Sequence, residues 1–140
     1  MSTQANKEVL RRFFMELFSD GDLDVADEIV SLTYINNNAM PGEKPGREGL
    51  KGFVSYLRSA IPDLQFTFEQ QLAEGDKVVT RWVASGTHLG EFIGIPATGK
   101  SLSVSGTNIH RVSGGEIQEA WQDWDALGMM QQLGVIPAMA

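Results

Sequence analysis

Val9, Leu10, Phe13, Phe14, Leu17 and Phe18 recur at i, i+1, i+4, i+5, i+8 and i+9, which puts all six on one face of a helix. Ser19-Asp20-Gly21-Asp22 ends it. A short second helix follows, with Val25, Ala26, Ile29 and Val30 on its apolar side and Asp22 or Asp24 as its N-cap. Residues 32–36 read as a short strand, and the Asn-, Gly- and Pro-rich residues 37–46 as a loop. Leu50, Phe53, Val54, Leu57 and Ile61 mark a third helix, which Pro62 stops. The period then changes to two. Leu64, Phe66, Phe68 and Leu72 alternate with Gln65, Thr67, Glu69 and Gln71, as in a strand with one buried face. Residues 78–88 form a second, β-branched strand, 101–112 a third and 116–124 a fourth. A Gly/Pro loop spans 90–99. Asp125 caps a short C-terminal helix that Gly134 ends.

Helices first and antiparallel strands afterwards make an α+β chain. A curved antiparallel sheet wrapped by the N-terminal helices encloses a pocket. At 140 residues, with no repeat or low-complexity segment, residues 1–140 read as a single domain. The chain is 42% hydrophobic and 21% charged, a globular composition. With no cysteine there is no disulfide, thiolate metal site or thiol nucleophile, and two histidines do not make a metal site, so no metal is expected. The net charge of −7 argues against nucleic acid as a partner. No stretch approaches the ~18–20 apolar residues of a membrane span, and the N-terminus lacks the apolar core of a secretory signal, so the chain reads as cytoplasmic with no membrane partner.

Residues 94–101, GIPATGKS, match the phosphate-binding loop pattern letter for letter. That loop works only when a helix follows and aims its N–H groups at phosphate. Here a period-two segment follows, and the string is read as a hairpin loop.

Strand parity locates the candidate chemistry. Leu102, Val104, Gly106, Asn108, His110 and Val112 share one face, so Asn108 and His110 lie on the apolar side. On the last strand Ile117 and Trp121 mark a face that also carries Glu119 and Asp123. His110 is then either a satisfied core histidine or a functional group to which Asn108 and Asp123 converge. Asp123 is either an exposed strand-end carboxylate or a general base whose pKa burial would raise. Glu119 suits a salt bridge with Arg81 or Arg111 across the sheet. His88, beside a glycine loop, belongs at the pocket rim or on the surface. Trp82, Trp121 and Trp124 are core residues, or one or two of them are walls for a flat aromatic ligand. Chemistry of this kind is acid/base work by a carboxylate with His and Asn in support, and it calls for no cofactor.

At these residues the chain resembles a known family. AEGDKVV at 73–79, GTHLGEF at 86–92, GIPATGK at 94–100 and the ending Trp121-x-x-x-Asp125-x-Leu-Gly128-Met-Met-Gln-Gln-Leu-Gly134 are similar to the SnoaL-like polyketide cyclases of the nuclear-transport-factor-2-like superfamily. The resemblance runs from about Lys7 to Pro137. It implies a cone of curved sheet closed by helices, a homodimer, and a metal- and cofactor-free intramolecular aldol closure of an aromatic polyketide ester. It implies an aspartate on the last strand as acid/base, an Asn after a Tyr-x pair, and a Gln-x-His pair on the preceding strand. Tyr34-Ile35-Asn36 and Asn108-Ile109-His110 match the last two, with Asn for Gln. Asp123-Trp124 fits the Asp-Trp pair of the first. Counting back from Gly128 without gaps instead puts Gln122 there, whereas parity with Trp121 favours Asp123. On this reading Asp123 and His110 are catalytic, and Asn36, Asn108, Trp82, Trp121, Phe14 and His88 bind a small apolar or aromatic molecule. The alternatives are a related isomerase, dehydratase or epoxide hydrolase, and a non-catalytic binding or assembly module. Arg81 and Arg111, at odd positions, do not suit the Asp–Arg–Asp set of an epoxide hydrolase. Apolar residues on both strand faces also suggest a two-fold dimer.

Overall fold

The computed structural model describes residues 2–137. Helix α1 (Thr3–Arg12) starts at Ser2, whose Oγ accepts the Ala5 N–H at 3.0 Å and so satisfies one orphan donor of the first turn. It runs directly into a π-helical segment, Phe13–Ser19, closed by the Asp20 N–H donating to the Met15 carbonyl at 3.0 Å. The wider turn buries Phe13, Phe14, Leu17 and Phe18 together with Val9 and Leu10, the apolar face read from the sequence. Helix α2 (Asp24–Ile29) has Leu23 at its cap, and Asp22 Oδ1 accepts the Asp24 N–H at 3.2 Å. Val30, expected on that helix, opens strand β1 (Val30–Asn36) instead. Helix α3 (Gly46–Ala60) lies over the sheet. Strands β2 (Gln65–Glu74), β3 (Lys77–Thr87), β4 (Ser101–Ser113) and β5 (Glu116–Trp124) follow, then helix α4 (Ala126–Gln132). Asp125 caps α4, its Oδ1 accepting the Gly128 N–H at 2.8 Å.

The five strands form one curved sheet in the order β1-β5-β4-β3-β2. The four later strands are an antiparallel meander, but β1 pairs with β5 in parallel, so the sheet is mixed rather than wholly antiparallel. Parallel neighbours need a long connection, and everything from α3 to β4 lies between these two strands. Residues 94–101 lead into β4, not into a helix, which removes the phosphate-loop reading.

Two bulges reset the parity of the sheet. In β2, Phe68 pairs with Trp82 and Gln70 with Arg81, leaving Glu69 as the extra residue. Beyond it the side chains change face. Leu72, expected inside with Phe66, is therefore 64% exposed on the outer face. In β5, Ile117 pairs with Val112 but Glu119 with Arg111, leaving Gln118 extra. Ile117 and Ala120 are consequently both buried. From there Gln122 and Trp124 continue the inward face, and Trp121 and Asp123 point outward.

Candidate active site

Between the π-helical segment, α3 and the inward face of the sheet lies a cavity of about 110 Å³. Its walls are apolar and largely aromatic: Phe13, Phe14 and Phe18 from the π-helical segment, Phe53 from α3, and Phe66 and Trp82 from the sheet. Trp82 stands directly across from Gly106, where a Cβ would overlap the indole ring, so a glycine is what lets the ring lie over β4. The indole N–H donates to Asn108 Oδ1 at 3.0 Å. An indole has only a donor, so this bond fixes the amide orientation and leaves the Asn108 NH₂ as its remaining donor.

Asn108 pairs in register with Gln122, and His110 with Ala120. Asn108, His110 and Gln122 thus form a polar patch on an apolar wall. His110 is fully buried, with Phe13 edge-on at 4.9 Å between ring centroids and Phe14 at 6.0 Å. Neither ring nitrogen has a hydrogen-bond partner among the described residues. Burial among these groups lowers its pKa to about 3, so the imidazole is neutral at physiological pH.

The third polar contribution comes from β1 and the loop after it. Tyr34, Asn36, Asn38 and Glu43 all line the cavity. Asn36 Oδ1 accepts the Asn38 N–H at 3.0 Å, and Asn38 Oδ1 accepts the Gln122 N–H at 2.7 Å. Between them, the Asn37 backbone N–H donates to the Ala120 carbonyl at 3.0 Å, and its side chain donates to the same carbonyl and to Glu119. Three consecutive asparagines therefore stitch the loop to β5, the local turn chemistry that short amides supply. Tyr34 is buried, and burial with the nearby Glu43 charge raises its pKa above the ordinary phenol range.

Of the residues singled out in the sequence, the cavity brings together Phe14, Asn36, Trp82, Asn108, His110 and Trp124. It does not include Asp123, Trp121 or His88. Asp123 is exposed and lies across from Thr107 on the outer face, because the Gln118 bulge moves every later residue of β5 by one. Trp121 is turned outward for the same reason, opposite Ile109. His88 is buried away from the cavity. Its Nδ1 accepts the Thr98 N–H at 3.2 Å, and its backbone bonds to Gly99 and Lys100, so it pins the 88–100 loop. Glu119 bonds Arg111 at 3.3 Å, as expected. Gln122, Tyr34 and Glu43 are cavity residues that parity missed, although gap-free counting back from Gly128 pointed to Gln122. Among the described residues, no group of three His, Asp or Glu side chains is arranged to hold a metal ion.

Residues 8–133 match the family model described as SnoaL-like polyketide cyclase. The chain is 32% identical over 138 residues to the aklanonic acid methyl ester cyclase DnrD of Streptomyces peucetius, covering 96% of this chain and 92% of that protein. It is 28% identical over 120 residues to the nogalonic acid methyl ester cyclase of Streptomyces nogalater, covering 84% and 89%. Among solved structures, TsrD of Streptomyces laurentii superposes with a TM-score of 0.90 at 29% identity, over 97% of this chain and 99% of that one. Matched along almost its whole length in both sequence and fold, the chain belongs to the SnoaL-like polyketide cyclase family of enzymes.

Proposed function

We propose that the chain closes a ring on an aromatic polyketide ester by intramolecular aldol-type addition, using only its own side chains for acid/base chemistry. The relatives named above act on methyl esters of aklanonic and nogalonic acid. The aromatic walls suit stacking against a flat conjugated ring. The observation that carries the reading is His110, fully buried on the cavity wall with both ring nitrogens unpaired, beside Asn108 and Gln122. Buried polar groups without partners are rare and call for a reason. A substrate oxygen is the partner that the cavity would offer one of these nitrogens. A neutral imidazole donates one N–H to the accepting ketone and polarises it without delivering a full charge to the pocket. The amide donors of Asn108 and Gln122 stabilise the oxygen charge that develops as the new carbon–carbon bond forms, and the dry walls strengthen each of these bonds.

The test is turnover of a conjugated anthraquinone-type β-keto methyl ester, followed by chromatography and mass spectrometry. The expected product is an isomer of the substrate, with unchanged mass and one more ring. Binding without any product makes the chain a binding module and removes the cyclase reading.

We also propose that the outer face of the sheet joins two copies of the chain. Leu72, Val79, Ile109 and Trp121 stand in register across four strands, with Leu72 64% and Ile109 37% exposed. Such a row is self-complementary about a two-fold axis. Light scattering should report a dimer for the wild type and a monomer for Ile109→Glu, since a buried unpaired carboxylate opposes association. A monomeric wild type removes the proposal.

A further inference from the structure

Ring closure begins with loss of a proton from carbon, and the inward face of the sheet carries no carboxylate to take it. The inward positions at the end of β5 belong to Ala120, Gln122 and Trp124. Among the cavity-lining residues, Glu43 alone has a carboxyl group. It comes from the loop between β1 and α3. That loop is tied to β5 at Gln122 itself, through Asn38. Within it, the Glu43 N–H donates to the Met40 carbonyl and the Met40 N–H donates to Glu43 Oε2, both at 3.0 Å. This reciprocal pair orients the carboxylate by one oxygen and, among the described residues, engages only that one. The carboxylate charge is felt by the buried Tyr34 phenol, which lines the same cavity.

We propose that Glu43, on the loop that lines the cavity between β1 and α3, is the general base of the reaction. The assignment rests on the ring-closure reading and deepens it. The C–H bond between two carbonyl groups of the substrate breaks, and its proton goes to Glu43 Oε1. The electron pair is delocalised over the enolate. The enolate carbon bonds to the ketone carbon, and the carbonyl π pair becomes an alkoxide. The alkoxide takes the proton back from the Glu43 carboxylic acid, so atoms and electrons balance with no co-reactant.

The test uses an anthraquinone-type β-keto methyl ester in D₂O, with three readouts: probe binding, deuterium uptake at the carbon between the carbonyls, and ring closure. Glu43→Gln keeps an oxygen acceptor for the Met40 N–H, so the loop and the binding constant are retained. Deuterium uptake and ring closure are expected to fall together, by about 10²–10⁴-fold, the usual contribution of a positioned base. Added formate should restore part of the exchange in Glu43→Ala, which a purely structural role would not allow. A Glu43→Gln protein that exchanges and closes the probe at the wild-type rate overturns the assignment and leaves the cyclase reading standing. A wild type that binds the probe but neither exchanges nor closes it overturns both.

Discussion

His110→Leu is expected to yield a more stable protein that no longer closes rings. The imidazole is fully buried against Phe13 and Phe14, and neither nitrogen has a partner. An unsatisfied buried polar group costs about 1–3 kcal/mol, and an apolar side chain of similar volume avoids that cost. The gain at neutral pH should be of that size. It grows in acid. The folded-state pKa is lowered by burial to about 3, whereas the unfolded chain titrates near 6.5. Between those values only the unfolded state binds the proton, so wild-type stability falls as pH falls. The slope is about 1.4 kcal/mol per pH unit, and the total loss is on the order of 5 kcal/mol by pH 3.

Three carboxylates add to acid sensitivity in a lower window. Asp27 is held below the usual range by its bond to Lys51, Asp63 by the Thr87 N–H and hydroxyl, and Glu119 by Asn37 and Arg111. Each stabilises the fold above its unfolded pKa and loses that contribution as pH drops through its folded value, whichever residue stands at 110. The comparison of wild type with His110→Leu therefore isolates the histidine. Denaturant melts at pH 7 and pH 4.5 should show the advantage of the variant widening by about 2–3 kcal/mol. An advantage that stays constant between the two pH values would mean that His110 is not held neutral by burial.

Gln122→Leu should lower kcat/KM for ring closure by about 10²–10³-fold, the range seen when one donor to a developing oxyanion is removed. Asp123→Asn should leave it within about twofold, as expected for an exposed side chain with no contact to the reacting atoms. These neighbouring residues are separated by the pleat alone: Gln122 faces Asn108 across the cavity wall, and Asp123 faces Thr107 on the outside. Both variants keep their side-chain sizes close to native, and neither position packs in the buried cluster. The opposite ranking, with Asp123→Asn inactive and Gln122→Leu active, would require the strand to be read without its bulge.

The contrast between those two residues also marks the limit of what alternation can tell. Along β4 the parity is unbroken from Leu102 to Val112, and Asn108 and His110 were legible as inward-facing residues. The helical face from Val9 to Phe18 was legible for the same reason: many apolar positions agree on one period. Asp125 was legible as a cap because the requirement is local, a side-chain oxygen three residues before a free N–H. Leu72 and Asp123 were misread because a bulge inserts one residue without any obligatory sequence mark, and a single insertion sends every later side chain to the other face. Glu43 was unreadable for a different reason. It sits in an Asn- and Gly-rich loop whose position over the cavity is set by bonds to β5, about 80 residues further along the chain.

The sequence by itself determined the element order, the α+β class, the family and the apolar helix face that carries Phe13, Phe14 and Phe18, because these depend on periodicity and on short motifs. Tertiary structure alone decided the parallel pairing of β1, the outward turn of Asp123 and Trp121, the burial of His88 away from the cavity and the entry of Glu43 into it, and it decided between Gln122 and Asp123, which motif counting and strand parity had left as alternatives. Those outcomes depend on strand register and on contacts between segments far apart in the chain, and no local pattern of hydrophobic and polar residues encodes either.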